Sequence, residues 1–497
     1  MTSDPGQFGA LNYAILTLYL IGMIAVGAYF SRRQQSLQDY FLGGRRLPWL
    51  AVGMSMYASV TSAMTFMGLP GRAYSQNISL LVVCLMSPLI APVLIYLIFP
   101  LYRKLGLTTS YEYIAMRFGR CARIAVSGLF VLARLSWIGT VIYAPSLALH
   151  VTTGIPLAIA ALIIGLLATV YCVLGGLSAV IWTDVPQFII MIGGAIWVAV
   201  LLSGLVPDGV VGILREGHLA DKLMIFDWTL KPDHMTALAV ALAYGFILIQ
   251  DYGVDQVSVQ RLLAVKTDRG VARAVIFNAV TDFFIIGLLL LIGLGLFVYY
   301  QQHPGQLPDG IAADRVLPWF ILHQLPAGIS GLIIAALFAA AMSSVDSGLN
   351  SLTTVILNDI AGPLTGRKAE SVFSVGLARV LTAVLGLLAT AVAIGVYRYI
   401  GDIIRAFYTF MGLFSAPVLA FFLLGMLTRR AHALGWGVAA ATSIALILTI
   451  KRLGWLHEIY FFPASTLFTF ICGYLLSLVL PVRGSHSTFT WRGVLRT

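Results

Sequence analysis

The chain has 497 residues, of which 59% are hydrophobic and only 10% are charged, and its formal net charge is +11. Soluble domains are typically about 45–50% apolar and about 25% charged. This composition excludes an ordinary soluble enzyme, a disordered regulator and a disulfide-stabilised secreted domain. The four cysteines show no paired spacing, which argues against a disulfide framework or a thiolate metal site. The main solvent of this chain is therefore predicted to be lipid.

Long apolar runs follow one another along the whole chain. A helix that crosses a bilayer needs about 20 such residues. No run alternates between polar and apolar residues, so the pattern predicts helices and not a barrel. The first ten residues lack a basic region, so the first run is expected to remain a span and not a cleaved signal peptide. Thirteen candidate spans occur, at 10–30, 47–71, 78–102, 121–152, 155–174, 178–204, 236–262, 271–300, 327–357, 376–397, 402–427, 433–450 and 460–481.

Basic residues concentrate in alternate loops between the predicted spans. Four arginines lie within 32–46, and Arg261 is assigned to the same side, whereas the other side is poorer in basic residues and includes Arg72. Because cytoplasmic loops are enriched in Lys and Arg, the N-terminus is predicted to be outside and the C-terminus inside. Topology thus accounts for the net positive charge, and no nucleic-acid partner is expected.

Two predicted spans are interrupted by polar and helix-breaking residues. The first interruption is MYASVTSAMTFMGLPG at 56–71, and the second is QDYGVDQVSVQR at 250–261. A broken helix exposes backbone carbonyls and hydroxyl groups to a cavity. Interrupted helices at matching places in two halves of a chain indicate an inverted-repeat transporter. The alternative is that the small residues only allow close helix packing.

Several ionisable side chains fall inside predicted spans, where each one is a functional hypothesis because burial in lipid is costly. Carboxylates outnumber cations among them. Some carboxylates are therefore expected to be protonated, to lie near an interface or to hold a mobile cation. For Asp184 the alternative is a carboxylate that stabilises a helix N-terminus. The intramembrane set is Arg134, Asp184, Asp251, Asp255, Asp282 and Asp346.

The segment ALFAAAMSSVDSGLNS at 336–351 combines hydroxyl groups with a carboxylate. Ser343, Ser344 and Ser347 share a helical face, and Asp346 adjoins them. Oxygen ligands alone suit a hard cation, and the lack of nearby His or Cys argues against zinc or copper. Alternatively, the hydroxyls only bond back to carbonyls of their own helix.

Short motifs extend over nearly the whole chain: DYFLGGRRLPW (39–49), TSYEYIAMRF (109–118), VIYAPSLAL (141–149), VYCVLGGLSAVIWTDVPQ (170–187), DQVSVQR (255–261) and AAAMSSVDSGLNS (339–351). Together they resemble the sodium:solute symporter family, a LeuT-like group of sodium-coupled glucose, iodide, monocarboxylate, vitamin and sialic acid carriers. The resemblance implies an all-α membrane protein with an extra first helix, two inverted five-helix repeats and two further helices. The corresponding divisions are 1–45, 46–204 (first repeat), 205–235 (external loop), 236–427 (second repeat) and 428–497.

The resemblance also implies cation sites. The principal sodium site would be formed by the carbonyls of Ala58, Thr61 and Ala340 and the hydroxyls of Ser343 and Ser344. A second cation site would comprise Asp184, Asp346 and Ser347. Asp346 stands where the sialic acid carriers have Ser, so this second site is expected to bind sodium more strongly, to bind a proton or to form a different network.

Substrate-binding residues transfer less directly from the family. The sialic acid carriers have an Arg at the position of Trp137 and a Gln at that of Cys84, and this chain has neither. Arg134, one turn from Trp137, is a candidate replacement. The VIYAPSLAL segment is closest to the iodide, monocarboxylate and vitamin branch, so a monocarboxylate-like organic acid is favoured over a sugar or sialic acid. The candidate substrate residues are Ser62, Thr65, Arg134, Trp137, Tyr143 and Asp255.

The resulting functional prediction is a sodium-coupled symporter of a small organic solute that uses one or two sodium ions. It is predicted to be a monomer in the plasma membrane, or in the inner membrane of a bacterium. A proton-coupled carrier is the main alternative, because Asp184, Asp255 and Asp346 are able to titrate. An ion channel would need a ring of carbonyl loops, and a membrane enzyme would need an acid–base or metal cluster. The sequence contains neither pattern.

Overall fold

Apolar helices make up most of the protein. The computed structural model describes residues 9–31, 37–229, 231–232, 234–326, 328–366, 372–399, 403–480 and 487–495. Within these ranges, ten helices are long and apolar enough to cross a membrane, and a bent helix pair gives an eleventh span if it is counted as one. Two shorter apolar helices cover Ala10–Val26 and Leu157–Val170. The chain is therefore an integral membrane protein; the total of thirteen spans and the sides of the termini stay predictions.

The helices follow the predicted apolar runs closely. Four of them contain or adjoin a π-helical turn, at Leu94–Ile98, Gln250–Val254, Ile356–Ala361 and Met411–Ser415. In chain order the α-helices are α1 (Ala10–Ser31), α2 (Leu37–Leu42), α3 (Trp49–Val60), α4 (Ala63–Ser75), α5 (Val82–Val93), α6 (Phe99–Lys104), α7 (Ser110–Phe118), α8 (Arg120–Thr153), α9 (Leu157–Leu205), α10 (Gly209–Leu219), α11 (Ala237–Ile249), α12 (Gln256–Leu263), α13 (Asp268–Gln302), α14 (Ala313–Gln324), α15 (Ile329–Val355), α16 (Gly362–Thr365), α17 (Val375–Tyr399), α18 (Ile403–Phe410), α19 (Ala416–Leu427), α20 (Ala433–Leu453), α21 (Phe461–Val479) and α22 (Trp491–Leu495).

Helix α9 joins two predicted spans into one element with a kink. Gly176 has φ +54° and ψ −170°, which is not a helical conformation. A residue with a side chain rarely adopts a positive φ, so glycine is suited to this position. The predicted boundary between 155–174 and 178–204 coincides with the kink.

The predicted interruption is present in both polar segments. Helix α3 ends at Val60, α4 begins at Ala63, and their axes differ by 60°. Thr61 and Ser62 between them have extended backbones, with ψ values of 107° and 169°. At the second break, α11 passes through a π-helical turn to Asp255, which is extended with ψ 130° before α12 begins.

Helix α15 forms the centre of the protein. Every residue from Ile333 to Val355 is buried, including the serines and Asp346. A helix that is buried all round must satisfy its polar side chains by contacts with neighbouring helices. Helices α3, α8 and α9 pack against it. The polar groups of α15 are thereby placed against the broken end of α3.

Candidate functional site

A cavity of about 210 Å³ lies between the two broken helices. Its wall is formed mainly by α4, by α8, by the region from α11 to α12 and by α18. Among the predicted substrate residues, those that line it are Ser62, Thr65, Arg134, Trp137 and Asp255. Tyr143 is not in the lining. It is six residues beyond Trp137, and at about 100° per residue it faces a different side of α8.

An ion pair joins the two walls of the cavity. Arg134 on α8 binds the Asp255 carboxylate, and their side chains are 11% and 9% exposed. Asp255 also accepts a hydrogen bond of 2.9 Å from the amide of Val257 and so caps α12. The charge of Arg134 is therefore already compensated within the protein.

The residues of the predicted principal sodium site lie where α15 meets the broken end of α3. The last carbonyls of a helix have no amide partner within that helix. The Ser343 hydroxyl donates to the carbonyl of Ala58 at 2.6 Å, and the Ser344 hydroxyl donates to that of Ser59 at 3.0 Å. Both hydroxyls also lie 3.2 Å from the carbonyl oxygen of Ala340. The structure thus brings four of the five predicted ligands together.

Thr61, the fifth predicted ligand, lies at the helix break. Its amide donates to the carbonyl of Tyr57, and the residue lines the cavity. We refer to Ala58, Ala340, Ser343 and Ser344 as the neutral-oxygen site. Carbonyl and hydroxyl oxygens are the ligands that hard cations prefer. In the structure the hydroxyls donate to the carbonyls, and the lone pairs of the hydroxyl oxygens remain available for a cation.

A second cluster lies next to the neutral-oxygen site. The Ser55 hydroxyl donates to Asp184 Oδ2 at 2.5 Å, and the Arg261 guanidinium lies 3.3 Å from the same oxygen. Arg261 also donates to Ser55 Oγ at 2.8 Å and to the Ser347 hydroxyl. All of these side chains are buried. We call Ser55, Asp184, Arg261, Asp346 and Ser347 the charged network.

Asp346 reaches this network through its neighbour. Its Oδ1 accepts bonds from the Ser347 amide at 2.6 Å and from the Ser347 hydroxyl at 3.1 Å. The Ser347 hydroxyl in turn lies 2.7 Å from that of Ser59. The residues predicted to form a second cation site therefore adjoin one another, but the guanidinium of Arg261 lies among them.

Two arginines were assigned to the wrong environment from the sequence. Arg261 was counted as a loop charge, yet it is 1% exposed in the charged network. Arg72 was also counted as a loop charge, but it lines the cavity. Both residues lie near the ends of apolar runs, where hydropathy does not separate a buried end from a loop. The excess of intramembrane carboxylates was the signal that further buried cations were required.

Two more carboxylates line the cavity. Asp282 accepts hydrogen bonds from Ser87 at 2.7 Å and from Tyr252 at 3.1 Å. Asp251 lies on the π-helical turn after α11. Across the described ranges, no group of three or more His, Cys, Asp or Glu side chains is arranged to hold a metal ion. The cavity lining thus contains both carboxylates and guanidinium groups.

The chain is similar in sequence and fold to known sodium-coupled symporters. The model of the sodium:solute symporter family matches residues 40–440. The sodium/sialic acid symporter SiaT of Proteus mirabilis is 34% identical over 90% of each chain. The sodium/sialic acid symporter NanT of Aliivibrio fischeri is 34% identical and covers 95% of this chain and 94% of its own. A solved Na⁺-coupled sialic acid symporter, in a substrate-bound outward-open state, superposes with a TM-score of 0.89 at 32% identity, over 96% of this chain and 100% of that one.

Proposed function

Because the chain belongs to the sodium:solute symporter family, we propose that it imports a small organic acid together with sodium. The proposal rests on the contact of the Ser343 and Ser344 hydroxyls with carbonyls at the broken end of α3. This contact connects two helices through neutral oxygens beside a solute-sized cavity. A cation bound there would be held by both helices at once.

The proposed solute is sialic acid or a related sugar acid. Both relatives described above, and the solved structure, are sodium-coupled sialic acid symporters. This information moves the preference away from the monocarboxylate that the sequence motifs favoured. The charged and hydroxyl groups of the cavity are consistent with an acid that carries several hydroxyls.

In the proposed cycle, sodium at the neutral-oxygen site stabilises the outward-open state. Ser343 and Ser344 bind the ion from α15, and the carbonyls of Ala58 and Thr61 bind it from the end of α3. The solute then enters the cavity, one helical bundle rocks against the other, and both are released inside. We take the protein to be a monomer with its N-terminus outside the cell membrane.

The energetics limit the stoichiometry. A tenfold sodium gradient supplies about 1.4 kcal/mol per ion, and a potential of about 100 mV adds about 2.3 kcal/mol per net charge moved. One sodium with a neutral solute would allow roughly 400-fold accumulation. One sodium with a monovalent anion moves no net charge and would allow only about tenfold. A second cation would restore the driving force. The charged network has two carboxylates for one guanidinium, so a proton carried by one of these carboxylates would supply that cation.

Uptake by the purified protein in liposomes tests the proposal. N-acetylneuraminate is supplied with an inward sodium gradient, with choline replacing sodium as the control, at several pH values. We expect uptake that requires sodium at every pH. Undiminished uptake in choline, driven by a pH gradient, would contradict sodium coupling and favour the proton-coupled carrier. A sodium conductance that needs no solute would instead favour a channel.

A further inference from the structure

Arg72 is a cation in the cavity wall that has no counterion among the described residues. It lies in the last turn of α4, and its Nε is buried with no hydrogen-bond partner. None of the salt bridges between described residues includes it. Tyr244 and Tyr408 line the same cavity, but they are neutral and their hydroxyls contact each other at 3.2 Å. An uncompensated guanidinium at a partly buried site favours an anionic ligand.

Three other cavity groups lack a hydrogen-bond or an ion-pair partner among the described residues. The hydroxyls of Ser62 and Ser258 are fully buried and make no hydrogen bond in the described part of the chain. The Asp251 carboxylate takes part in none of the ion pairs between described residues. Buried polar groups normally have partners. Polar groups that line a cavity and have no partner in the protein are expected to bond to a ligand.

Arg134 is a weaker candidate for binding an anion than Arg72. Its guanidinium already holds the Asp255 carboxylate across the cavity. A solute carboxylate at Arg134 would have to displace Asp255 and leave that buried charge without its partner, which is costly. At Arg72 a carboxylate would displace no charged group of the protein.

The spacing along α4 limits the length of the ligand. Ser62 and Arg72 are ten residues apart in sequence, which is roughly 15 Å along a helix. An arginine side chain points back toward the helix N-terminus by about one turn. The distance along the axis from the Ser62 hydroxyl to the Arg72 guanidinium is therefore roughly 10 Å. Two hydrogen bonds of about 2.8 Å each leave roughly 4–5 Å for the ligand itself. A hydroxyl three or more carbons from the carboxylate spans this distance, whereas that of a 2-hydroxy acid does not.

We propose that Arg72 binds the carboxylate of a polyhydroxylated organic acid, and that Asp251, Ser62 and Ser258 bind its hydroxyl groups. This inference rests on the proposed function and adds the residue that selects for the acid. Arg72 belongs to the end of α4 that Lys222 connects to the predicted external segment 205–235, through bonds to the carbonyls of Tyr74 and Gln76 at 2.7 and 3.0 Å. The carboxylate would therefore lie toward the outside.

The test compares an acid with its uncharged ester in two proteins. Binding of N-acetylneuraminate and of its methyl ester is measured by thermal shift in sodium, for the wild type and for Arg72→Gln. We expect the wild type to prefer the acid by roughly 10- to 100-fold, as for a charge-assisted hydrogen bond. Arg72→Gln should lose this preference, because it should weaken binding of the acid and leave binding of the ester unchanged. Arg72→Lys should keep part of the preference. Lactate, a short 2-hydroxy acid, should compete poorly.

The experiment has a folding control and three results that would contradict the proposal. Sodium alone should raise the melting temperature of Arg72→Gln as it does for the wild type, which verifies that the variant is folded. A variant that still prefers the acid to the same extent would overturn the role of Arg72, and collapse of the preference in Arg134→Gln would then assign the carboxylate to Arg134. Lactate competing as well as N-acetylneuraminate would overturn the length limit. Absence of sodium-dependent uptake of any acid by the wild type would overturn the proposed function, and this inference with it.

Discussion

The neutral-oxygen site and the charged network join the same two helices, α3 and α15, by opposite means. The first uses hydroxyls and carbonyls that carry no net charge. The second connects them through the Arg261 guanidinium of α12, which donates to Ser55 on α3 and to Ser347 on α15 and pairs with the Asp184 carboxylate of α9. Ser59 takes part in both, because its carbonyl accepts from Ser344 while its hydroxyl contacts Ser347. One region is thus suited to gain and lose an ion, and the other contains a permanent cation.

The two regions differ in how strongly they connect α3 to α15. A neutral hydrogen bond contributes about 0.5–1.5 kcal/mol to stability, so the hydroxyl–carbonyl contacts alone hold α3 to α15 weakly. Breaking a buried ion pair by removing one partner costs about 3–5 kcal/mol. We therefore expect sodium binding to control the first region and folding to depend on the second. The predictions below test this division.

Arg261→Met should have the largest effect. It leaves the Asp184 carboxylate, which is fully buried, without its cation. We expect the free energy of unfolding to fall by about 3–5 kcal/mol. The measurement is thermal or denaturant unfolding of the purified protein in detergent, in a fixed sodium concentration.

The double variant Arg261→Met, Asp184→Asn provides the matched control. It removes both charges of the pair, and replacing a whole buried pair by neutral groups is far less costly than breaking it. Most of the lost stability should return. A double variant as unstable as Arg261→Met alone would show that Asp184 is not the group that needs Arg261.

Ser343→Ala and Ser344→Ala should have the next largest effect, on sodium and not on folding. Each removes one hydroxyl oxygen from the neutral-oxygen site. A hydrogen bond to a charged group contributes about 1.5–3 kcal/mol, and we take the contact between a hydroxyl oxygen and sodium to be of similar strength. Loss of one such contact should raise the half-saturating sodium concentration roughly 10- to 100-fold. Sodium-dependent uptake and sodium-induced thermal stabilisation both measure this half-saturating concentration.

Ser351→Ala is the control on the same helix. Its hydroxyl bonds back to the carbonyl of Gly348 at 2.9 Å, and no hydrogen bond joins it to another of the described helices. Its sodium dependence should equal that of the wild type. An unchanged sodium dependence in both Ser343→Ala and Ser344→Ala would mean that the ion binds elsewhere.

Much of this comparison was accessible from the sequence. The serine face at 343–347 and the polar interruption at 56–71 predicted an oxygen site, because hydroxyls and a helix break are unusual in an apolar span. The structure brings Ala58, Ala340, Ser343 and Ser344 together as expected. The apolar runs also predicted the helices well, since lipid imposes a length and a composition on each of them.

The partners of the charged side chains were not accessible from the sequence. Arg261 pairs with Asp184 over a separation of 77 residues, and Arg134 pairs with Asp255 over 121. Such pairs depend on how the helices pack, and hydropathy carries no information about packing. For the same reason, Arg72 in the cavity wall resembled an ordinary loop charge, and Tyr143, which was predicted to bind substrate, is not in the cavity lining.

Asp346→Asn should affect sodium binding less than loss of a hydroxyl ligand. Asp346 is one helical turn from Ser343, and its charge acts on the ion through space. Charges about 8–10 Å apart interact by about 1 kcal/mol at an effective dielectric constant between those of protein and water. The half-saturating sodium concentration should rise roughly fivefold. A value equal to that of the wild type would indicate that Asp346 is already neutral, for example by carrying a proton.

Ser55→Ala should have the smallest effect on sodium binding, and it tests whether the two regions are separate. Ser55 donates to Asp184 at 2.5 Å and accepts from Arg261 at 2.8 Å, but the ion pair remains when its hydroxyl is removed. We expect stability to fall by about 1–2 kcal/mol, as for one buried hydrogen-bonding group. The half-saturating sodium concentration should not change, because this substitution removes no charge and no oxygen of the neutral-oxygen site. A sodium shift as large as that of Ser343→Ala would mean that the network itself binds the transported ion, and that Arg261 must move to admit it.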